Sequence, residues 1–400
     1  MKIKIKIVKH YFVIAVFLGV LICLAVHSAS CSQPAYSYQI PQQIDDGWVT
    51  ASLGDVGINE EQITDSMDSL LKSDNNPLHS IIIVKDGKLV LEEYFSGEDL
   101  SIEGGLHFEQ RDFDRTTLHC LASASKSITS ILLGIAIDQG KVESIHENLF
   151  SFFPEYSELS NAVKDNITLQ HLLTMSSGIP WDESYPYDDP RNDLAQMVFI
   201  STDPMRYVLE KSLVAAPGEA FIYNSGTTNV LGEVVSRSAG LPLADFADRY
   251  LFTPLGITSC DWISFPNAPE IAVASSLLYL KPRDMAKIGQ MYLQKGVWNG
   301  NRIISESWVI ESTGQSIEVP SSEEVIPGFN TSYGYQWWRG TFSNGDIDTC
   351  YAAGFGGQFI FVLPEMEMVI VFTAGQFEGG YQGFVSIVND HILAAVNSLN

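Results

Sequence analysis

The chain has 400 residues, of which 46% are hydrophobic and 18% are charged, and its formal net charge is −25. This composition excludes an intrinsically disordered protein, because the apolar fraction is large enough to build a buried core. The charge argues against nucleic acid as a partner, since phosphate binding depends on clusters of lysine and arginine that the sequence lacks.

The first thirty residues have the pattern of an export signal. A lysine-rich start (residues 1–9) is followed by an apolar run (residues 11–26) and by small residues before Cys31. We therefore expect an exported protein that is periplasmic, at the cell surface or anchored to a membrane through its N-terminus. The cysteine resembles a bacterial lipoprotein processing site, although Ser28 stands where such sites usually have leucine. Lipidation, simple cleavage and a retained anchor all remain open at this point.

The rest of the chain divides into a linker and one folded domain. Residues 31–54 are rich in Ser, Gln, Pro and Gly, a composition that predicts a tether. No internal repeat or low-complexity tract follows. We therefore predict a single composite domain over residues 55–400.

Strand signals lie at both ends of this domain. Residues 79–95 hold two β-rich runs around Asp86-Gly87, which is a strong hairpin signal. Near the C-terminus, residues 358–362 and 366–373 flank Pro364-Glu365 in the same way. Strands at both ends with helices between them predict an α+β fold with one antiparallel sheet that is completed late in the chain.

Helices are predicted between and after these strands. In the first of them, residues 123–139, apolar side chains recur at helical spacing until Gly140 ends the run. The other predicted helices cover residues 168–175, 227–238 and 384–399.

Ser123 and Lys126 form an SxxK pair in the segment LASASKSITS, at the predicted start of a helix. A separation of three residues places the hydroxyl and the ammonium on one helical face. A lysine that is desolvated beside a serine can accept its proton and so activate it as a nucleophile. A helix N-terminus also directs backbone N–H groups towards a developing oxyanion. A four-residue match is common by chance, so the pair does not decide the function alone.

A second signal follows one hundred residues later in PGEAFIYNSGTTNVLGEVV. Here Tyr223 precedes a predicted helix, and a tyrosine beside a lysine can be drawn towards phenolate and take part in proton transfer. Ser225 could hydrogen-bond the lysine ammonium. In isolation, a packed tyrosine at a helix entrance would be the simpler interpretation.

Together, these segments resemble the serine β-lactamase and penicillin-binding protein superfamily, in the branch of class C β-lactamases, family VIII esterases, D-aminopeptidase-like enzymes and 6-aminohexanoate-dimer hydrolases. The likeness begins at about His79 and continues to the C-terminus. Further segments that carry it are ITLQHLLTMSSGI (167–179), YLFTPLGIT (250–258), LKPRDMAKIGQMYLQKGVWNGNRIISESWV (280–309) and YGYQWW (333–338).

The resemblance implies a fold and a set of roles. The fold would be β-lactamase/transpeptidase-like: an antiparallel sheet flanked by helices, with an all-helical subdomain and the active site between the two. Ser123 would be the nucleophile, Lys126 the first base and Tyr223 the second. The family's third motif, usually Lys or His followed two residues later by Gly, falls on Ala352 to Gly354, so the usual cation is missing.

The strand that carries this third motif has a further expected role. Its Gly354, Phe355 and Gly356 would form the oxyanion and substrate strand, with the N–H of Phe355 as the second oxyanion donor. The aromatic group at residues 333–338 could wall an acyl pocket, although core packing is the simpler explanation for each ring. The loss of the cation at Ala352 favours a short ester or a small amide over a β-lactam.

Other catalytic patterns are absent from the sequence. It contains no GxSxG, no HExxH and no Cys/His metal motif, and Cys120, Cys260 and Cys350 are too scattered and too few for a disulfide framework. We expect no metal and no cofactor.

The predicted function is an exported serine hydrolase that cleaves a small-molecule ester or amide, or a short peptide, through a serine acyl-enzyme. The alternatives are a D-amino-acid peptidase or β-lactamase acting on cell-wall-type substrates, and a relative that binds its ligand without turnover.

Overall fold

The computed structural model of the chain describes residues 35–73, 76–101 and 107–397. The predicted signal over residues 1–30 and Cys31 lie outside the described residues. Within the described part, no helix is both long enough and apolar enough to cross a membrane. The chain forms two compact units, one small and one that contains most of the residues.

The smaller unit consists, in its described part, of residues 35–37, 64–73 and Asn76. The backbone N–H of Tyr36 donates to the Asp68 carboxylate at 3.1 Å. Asp68 also forms an ion pair with Lys72, one helical turn further along. The hydrogen bond from Tyr36 thus connects residues 35–37 to the helical segment of the same unit.

The larger unit contains an eight-stranded sheet. Its strands are β1 Val49–Thr50, β2 Leu78–Lys85, β3 Lys88–Tyr94, β13 Asn330–Tyr333, β14 Trp338–Phe342, β15 Ile347–Gly354, β16 Gln358–Leu363 and β17 Met368–Ala374. The shorter strands outside this sheet are β4 Ser96–Ser101, β5 His107–Asp112, β6 His119–Cys120, β7 Asp261–Trp262, β8 Ser264–Phe265, β9 Ala268–Ala272, β10 Leu278–Leu280, β11 Val297–Trp298 and β12 Asn301–Arg302. The order across the large sheet is β1-β3-β2-β17-β16-β15-β14-β13. All neighbours in it are antiparallel except β1 and β3, which are parallel.

The predicted hairpin and the late completion of the sheet are confirmed. Asp86 and Gly87 have φ values of +53° and +73°, as a tight turn between β2 and β3 requires. The last strand, β17, pairs with β2 over most of its length, so the first hairpin and the last strand meet in the middle of the sheet. Every residue of β16 and β17 is buried, on both faces of the sheet. This explains why their sequences are almost continuously apolar instead of alternating.

Helices cover the sheet and form a largely helical region between residues 149 and 252. The helices are α1 Glu60–Leu71, α2 Ser125–Asp138, α3 Leu169–Leu173, α4 Asp193–Ala195, α5 Pro204–Leu209, α6 Ser225–Ala239, α7 Leu243–Ala247, α8 Pro282–Leu293, α9 Glu306–Thr313, α10 Gln382–Ser386 and α11 Leu393–Asn397. The helix α8 packs against β16 and β17, while α2 and α6 pack against each other. The predicted α+β fold is therefore confirmed. The predicted helix over 384–399 is interrupted by a π-helical turn at Ile387–Ile392.

The prediction that residues 31–54 form a tether is wrong for its described, C-terminal part. The strand β1 pairs with β3, and Trp48 is buried, with its ring edge-on to Trp298 at 4.9 Å. Asp46 forms an ion pair with the buried Arg283 at 2.8 Å. One aromatic and one acidic anchor therefore hold a stretch whose average composition is typical of a linker.

Candidate active site

Ser123 lies on a strained turn at the entrance to α2. The strand β6 ends at Cys120, and a short 3₁₀ turn over Ala122–Ala124 leads directly into the helix. Ala122 has a φ of +45°, in the left-handed region that costs a residue with a Cβ about 1 kcal/mol or more. The surrounding packing thus holds the serine in a conformation that the local sequence does not favour.

The end of β15 packs tightly against this turn. A Cβ on Gly354 would lie 2.1 Å from the backbone oxygen of Leu121, so only glycine permits this approach. The contact brings Phe355, which directly follows the strand, to the same cavities that Ser123 lines. The structure therefore brings together two of the sequence-predicted segments, SxxK and the third motif.

We expect the Gly354→Ala variant to lose activity as well as stability. Overpacking at such a contact costs about 1–3 kcal/mol, and a displacement of about 1 Å at a reacting centre can lower a rate about a hundredfold. Thermal unfolding and kcat/KM measured on the same preparation check both effects.

The matched control is Gly383→Ala. Gly383 lies in α10, and a Cβ added there would meet no atom within 4 Å, so alanine should be neutral or slightly stabilising. If Gly354→Ala had the same thermal stability and kcat/KM as this control, the close contact between β15 and the turn would not be needed for folding or activity.

Lys126 is buried, and its amino group is close enough to Ser123 to exchange a proton. Its Nζ donates to the Oγ of Ser123 at 2.9 Å and to the backbone oxygen of Ser275 at 3.2 Å. Burial lowers the pKa of Lys126 to about 8, although the negative charge of Glu183 partly opposes this shift. A substantial fraction of the side chain is therefore neutral near pH 8 and can act as a base.

Sequence reasoning missed the residues that position this lysine. Asn229 donates from Nδ2 to the Oγ of Ser275 at 2.9 Å and accepts from its backbone N–H at 3.3 Å. These bonds hold the Ser275 carbonyl against Lys126. Asn229 follows Ser225 by one helical turn on α6, which is the only signal of this role that the sequence contains.

Tyr223 lies beside the Ser123–Lys126 pair but is not a phenolate. Its ring centroid is 4.8 Å from the Nζ of Lys126, and its ring stacks on Trp338 at 5.7 Å. Burial and the charge of Glu183 raise the pKa of Tyr223, and a hydrogen bond with Ser123 offsets this only in part. The raised pKa favours the protonated phenol at neutral pH, so in this arrangement Tyr223 is placed to donate a proton.

The expected bond from Lys126 to Ser225 does not form. Ser225 is the first residue of α6 and is buried, but its Oγ has no hydrogen-bond partner among the described residues. The ammonium donates instead to Ser123 and Ser275. The proposed supporting role of Ser225 is thus not seen in this arrangement.

Two cavities meet at Ser123. The apolar cavity, of about 100 Å³, is walled mainly by hydrophobic side chains, among them Leu100, Leu194, Val198, Phe199, Leu277 and Phe377. The outer cavity, of about 280 Å³, is bordered by Tyr223, Trp338, Glu323, Glu324, Phe355 and Tyr381. Because Ser123 and Phe355 line both, a carbonyl held between them would have one substituent in each cavity.

The residues predicted for the substrate strand do not all have free polar groups. Ala352 is buried in the sheet and contributes no charge, as expected. The N–H of Gly356 donates to the Tyr381 hydroxyl at 3.1 Å, so it is already used. Phe355 borders both cavities, and its role as an oxyanion donor stays a prediction. In the aromatic group 333–338, Trp338 lines the outer cavity, whereas Trp337 is wholly buried in the core.

Two acidic side chains, Glu323 and Glu324, line the outer cavity. Glu183 is close enough to affect both Lys126 and Tyr223 electrostatically. Partial desolvation, together with the charges of Asp182 and Glu183, raises the pKa of Glu323. Negative potential therefore dominates this side of the site, a feature that the sequence did not reveal because these residues lie in separate loops.

Comparisons with known proteins identify the family to which this chain belongs. A family model described as Beta-lactamase matches residues 65–384. The chain belongs to the β-lactamase family. The superfamily predicted from the sequence segments is thereby confirmed.

Two curated proteins illustrate the relationship within this family. The 6-aminohexanoate-dimer hydrolase of Paenarthrobacter ureafaciens is 27% identical over 266 residues, which cover 63% of this chain and 65% of that protein. The esterase EstB of Burkholderia gladioli is 27% identical over 161 residues, or 38% of this chain and 41% of that protein. The matched regions thus span less than two thirds of the length of these relatives.

Solved structures of β-lactamase-like proteins share the fold over most of the chain. A family VIII carboxylesterase matches 91% of this chain and all of its own, with a TM-score of 0.63 and 16% identity. The D-amino acid amidase of Ochrobactrum anthropi matches 84% of this chain and 98% of its own, with a TM-score of 0.60 and 15% identity. At such identities the likeness shows the fold alone.

Proposed function

We propose that this member of the β-lactamase family is a serine hydrolase that cleaves an ester or amide through an acyl-enzyme on Ser123. The observation that carries the proposal is the 2.9 Å contact between the buried Nζ of Lys126 and the Oγ of Ser123, in a site where burial lowers the pKa of the lysine to about 8. A buried lysine with this pKa beside a serine has the properties of an activating base.

The reaction proceeds in two stages. The Oγ of Ser123 attacks the substrate carbonyl carbon, and its proton passes to neutral Lys126. The bond to the leaving group then breaks, and the leaving group takes up a proton that the Tyr223 phenol donates and that Lys126 replaces. Water next attacks the acyl-enzyme ester, with Lys126 again neutral as the base. The acyl group leaves as an acid and the Ser123 hydroxyl is restored.

The charge around the site supports a neutral substrate over an anionic one. The third motif has Ala352 in place of a cation, and Glu183 and Glu323 add negative potential. A substrate carboxylate would therefore be repelled rather than held. This favours a small neutral ester or amide over a β-lactam or a peptide with a free C-terminus.

A matched pair of esters tests this preference. We expect kcat/KM for a p-nitrophenyl butyrate to exceed that for the p-nitrophenyl monoester of succinate by about tenfold or more, because like charges at close range disfavour the second. Glu183→Gln should narrow the ratio of the two kcat/KM values. The ratio is the quantity compared, because loss of this charge also lowers the pKa of Lys126 and so affects both esters. Equal rates for the two esters in the parent protein would contradict the inferred charge preference.

Covalent labelling tests the proposal itself. The purified protein should react with a fluorophosphonate, and peptide mass spectrometry should place the adduct on Ser123. A panel of p-nitrophenyl esters, a chromogenic cephalosporin and D-alanyl anilides then identifies the preferred bond. Turnover of the cephalosporin or the anilides alone would favour the β-lactamase or peptidase alternative. A folded protein that neither labels nor turns over any substrate would favour ligand binding without catalysis.

Export of the protein is a separate proposal, supported by the sequence of residues 1–31 alone. Expression of the full chain in a bacterial host followed by cell fractionation tests it. We expect the mature protein outside the cytoplasm, with membrane association that Cys31→Ser abolishes if the cysteine is lipidated. Retention of the unprocessed chain in the cytoplasm would contradict the proposal.

A further inference from the structure

Two buried histidines and an aspartate form a cluster beside the apolar cavity, which Asp99 and His119 line. His79 comes from β2, Asp99 from β4 and His119 from β6, and one potential ligand atom of each lies within 4.8 Å of the others. The two histidines are 0% and 3% exposed, and the Nδ1 of His79 is 2.7 Å from the Nε2 of His119. Neither the SxxK chemistry nor the family's other motifs use these residues.

When both imidazoles are neutral, no placement of their hydrogens gives every ring nitrogen a hydrogen-bond partner in the described part of the chain. The Nδ1 of His119 lies 3.1 Å from the backbone oxygen of Cys120, so it carries the hydrogen and leaves a lone pair on Nε2. The backbone oxygen of Glu98 approaches His79 but can only accept a hydrogen bond. If His79 carries its hydrogen on Nδ1, its buried Nε2 is therefore left as an acceptor without a donor among the described residues. If it carries the hydrogen on Nε2, two lone pairs face each other across 2.7 Å.

A cation between the two nitrogens resolves this conflict. An additional proton would place a positive charge on two rings that are almost completely removed from water, which is costly. A metal ion instead uses both lone pairs. The contact of His119 with the Cys120 carbonyl is then the usual outer-shell bond that orients a metal-ligating imidazole. Stacking of Phe113 on His79, with centroids 4.0 Å apart, fixes the second ring.

Asp99 is placed to supply a third ligand. Its side chain is 13% exposed and forms an ion pair with Arg111 at 3.2 Å through Oδ2. A carboxylate has lone pairs for both a metal and an arginine. Zinc bonds of about 2.0–2.2 Å in tetrahedral geometry place ligand atoms roughly 3.3 Å apart. Binding therefore draws the Asp99 carboxylate inward and parts the two imidazoles slightly.

We propose that His79, Asp99 and His119 form a Zn²⁺ site beside the apolar cavity. Two imidazole nitrogens and one carboxylate oxygen are a ligand set that zinc adopts when its fourth position is open. Because Asp99 and His119 line the same cavity as Ser123, this open position faces the cavity. It would take a water molecule or an oxygen ligand that enters there.

Zinc binding to the metal-free protein tests the site. The experiment uses the Cys260→Ser background, because Cys260 is an exposed thiol that could bind zinc by itself. After removal of metal with EDTA, titration calorimetry with Zn²⁺ should give a stoichiometry of about one per chain. Co²⁺ in place of zinc should give the visible absorption of a four-coordinate site.

Three variants locate the ion. We expect His119→Gln and Asp99→Asn each to weaken zinc binding by about tenfold or more, since each removes a direct ligand. The exposed His146→Gln is the matched control and should bind as the parent does. Asp99 is partly exposed, so its variant keeps the test valid if the buried His119 variant fails to fold by circular dichroism.

Several outcomes would overturn the proposal. They are binding well below one zinc per chain, equal affinity in the parent and both ligand variants, and loss of binding only on Cys120→Ser. Because calorimetry measures binding rather than turnover, failure here leaves the serine hydrolase proposal untouched, and failed labelling of Ser123 would leave this one untouched.

Discussion

Ser123→Ala is expected to abolish covalent labelling and to lower kcat by a factor of about 10⁴ or more. The variant removes the atom that forms the acyl-enzyme, so any remaining rate comes from binding and polarisation of the carbonyl by the rest of the site. The small change in side-chain volume leaves the strained turn at Ala122 in place. We therefore expect the thermal midpoint to stay close to that of the parent. Stopped assays with the preferred ester, together with intact-mass detection of the acyl adduct, measure the effect.

The matched control for this variant is Ser322→Ala. Ser322 borders the outer cavity and is exposed, and it has no part in the proposed chemistry. It should keep the parental rate within about twofold, as a surface substitution does. Substantial turnover by a correctly folded Ser123→Ala protein would exclude Ser123 as the nucleophile, whatever the control shows.

Lys126→Arg should reduce kcat/KM by a factor of about 10³, even though it keeps the positive charge. Arginine stays protonated across the accessible pH range, so it cannot accept the proton of Ser123. In the parent protein, burial lowers the pKa of Lys126 to about 8, and only the deprotonated form is a base. The kcat/KM of the parent should therefore rise as the pH increases through about 8 and level off above it. A pH profile of both proteins provides the measurement.

Lys164→Arg is the matched control. It distinguishes the loss of a catalytic base from the structural effect of placing an arginine at a buried lysine position. Lys164 is also buried, but its Nζ donates to the backbone oxygen of Leu209, away from Ser123. Its variant should retain the parental pH profile. Two results would show that another group is the base. One is a parental kcat/KM that does not change with pH within about one unit of the Lys126 pKa. The other is a Lys126→Arg variant whose kcat/KM rises with pH as that of the parent does.

The sequence alone predicted the features that depend on short stretches of chain. The hairpin around Asp86-Gly87 follows from turn chemistry and the β-rich runs on either side, and β16 and β17 follow from apolar runs separated by a breaker. The SxxK pair at Ser123 and Lys126 was readable because one helical turn fixes their proximity before any tertiary contact forms. Local geometry of this kind is encoded within a few residues.

The tertiary structure decided everything that depends on residues far apart in the chain. The stretch before β1 has the composition of a linker, yet Trp48 anchors it through contacts with residues more than two hundred positions later. The protonated state of Tyr223 and the lowered pKa of Lys126 are set by burial, which no motif reports. His79 and His119 share no recognisable spacing and meet only because β2 and β6 converge. Composition and spacing describe a segment on its own, whereas charge, desolvation and ligand geometry belong to the neighbours that folding brings to it.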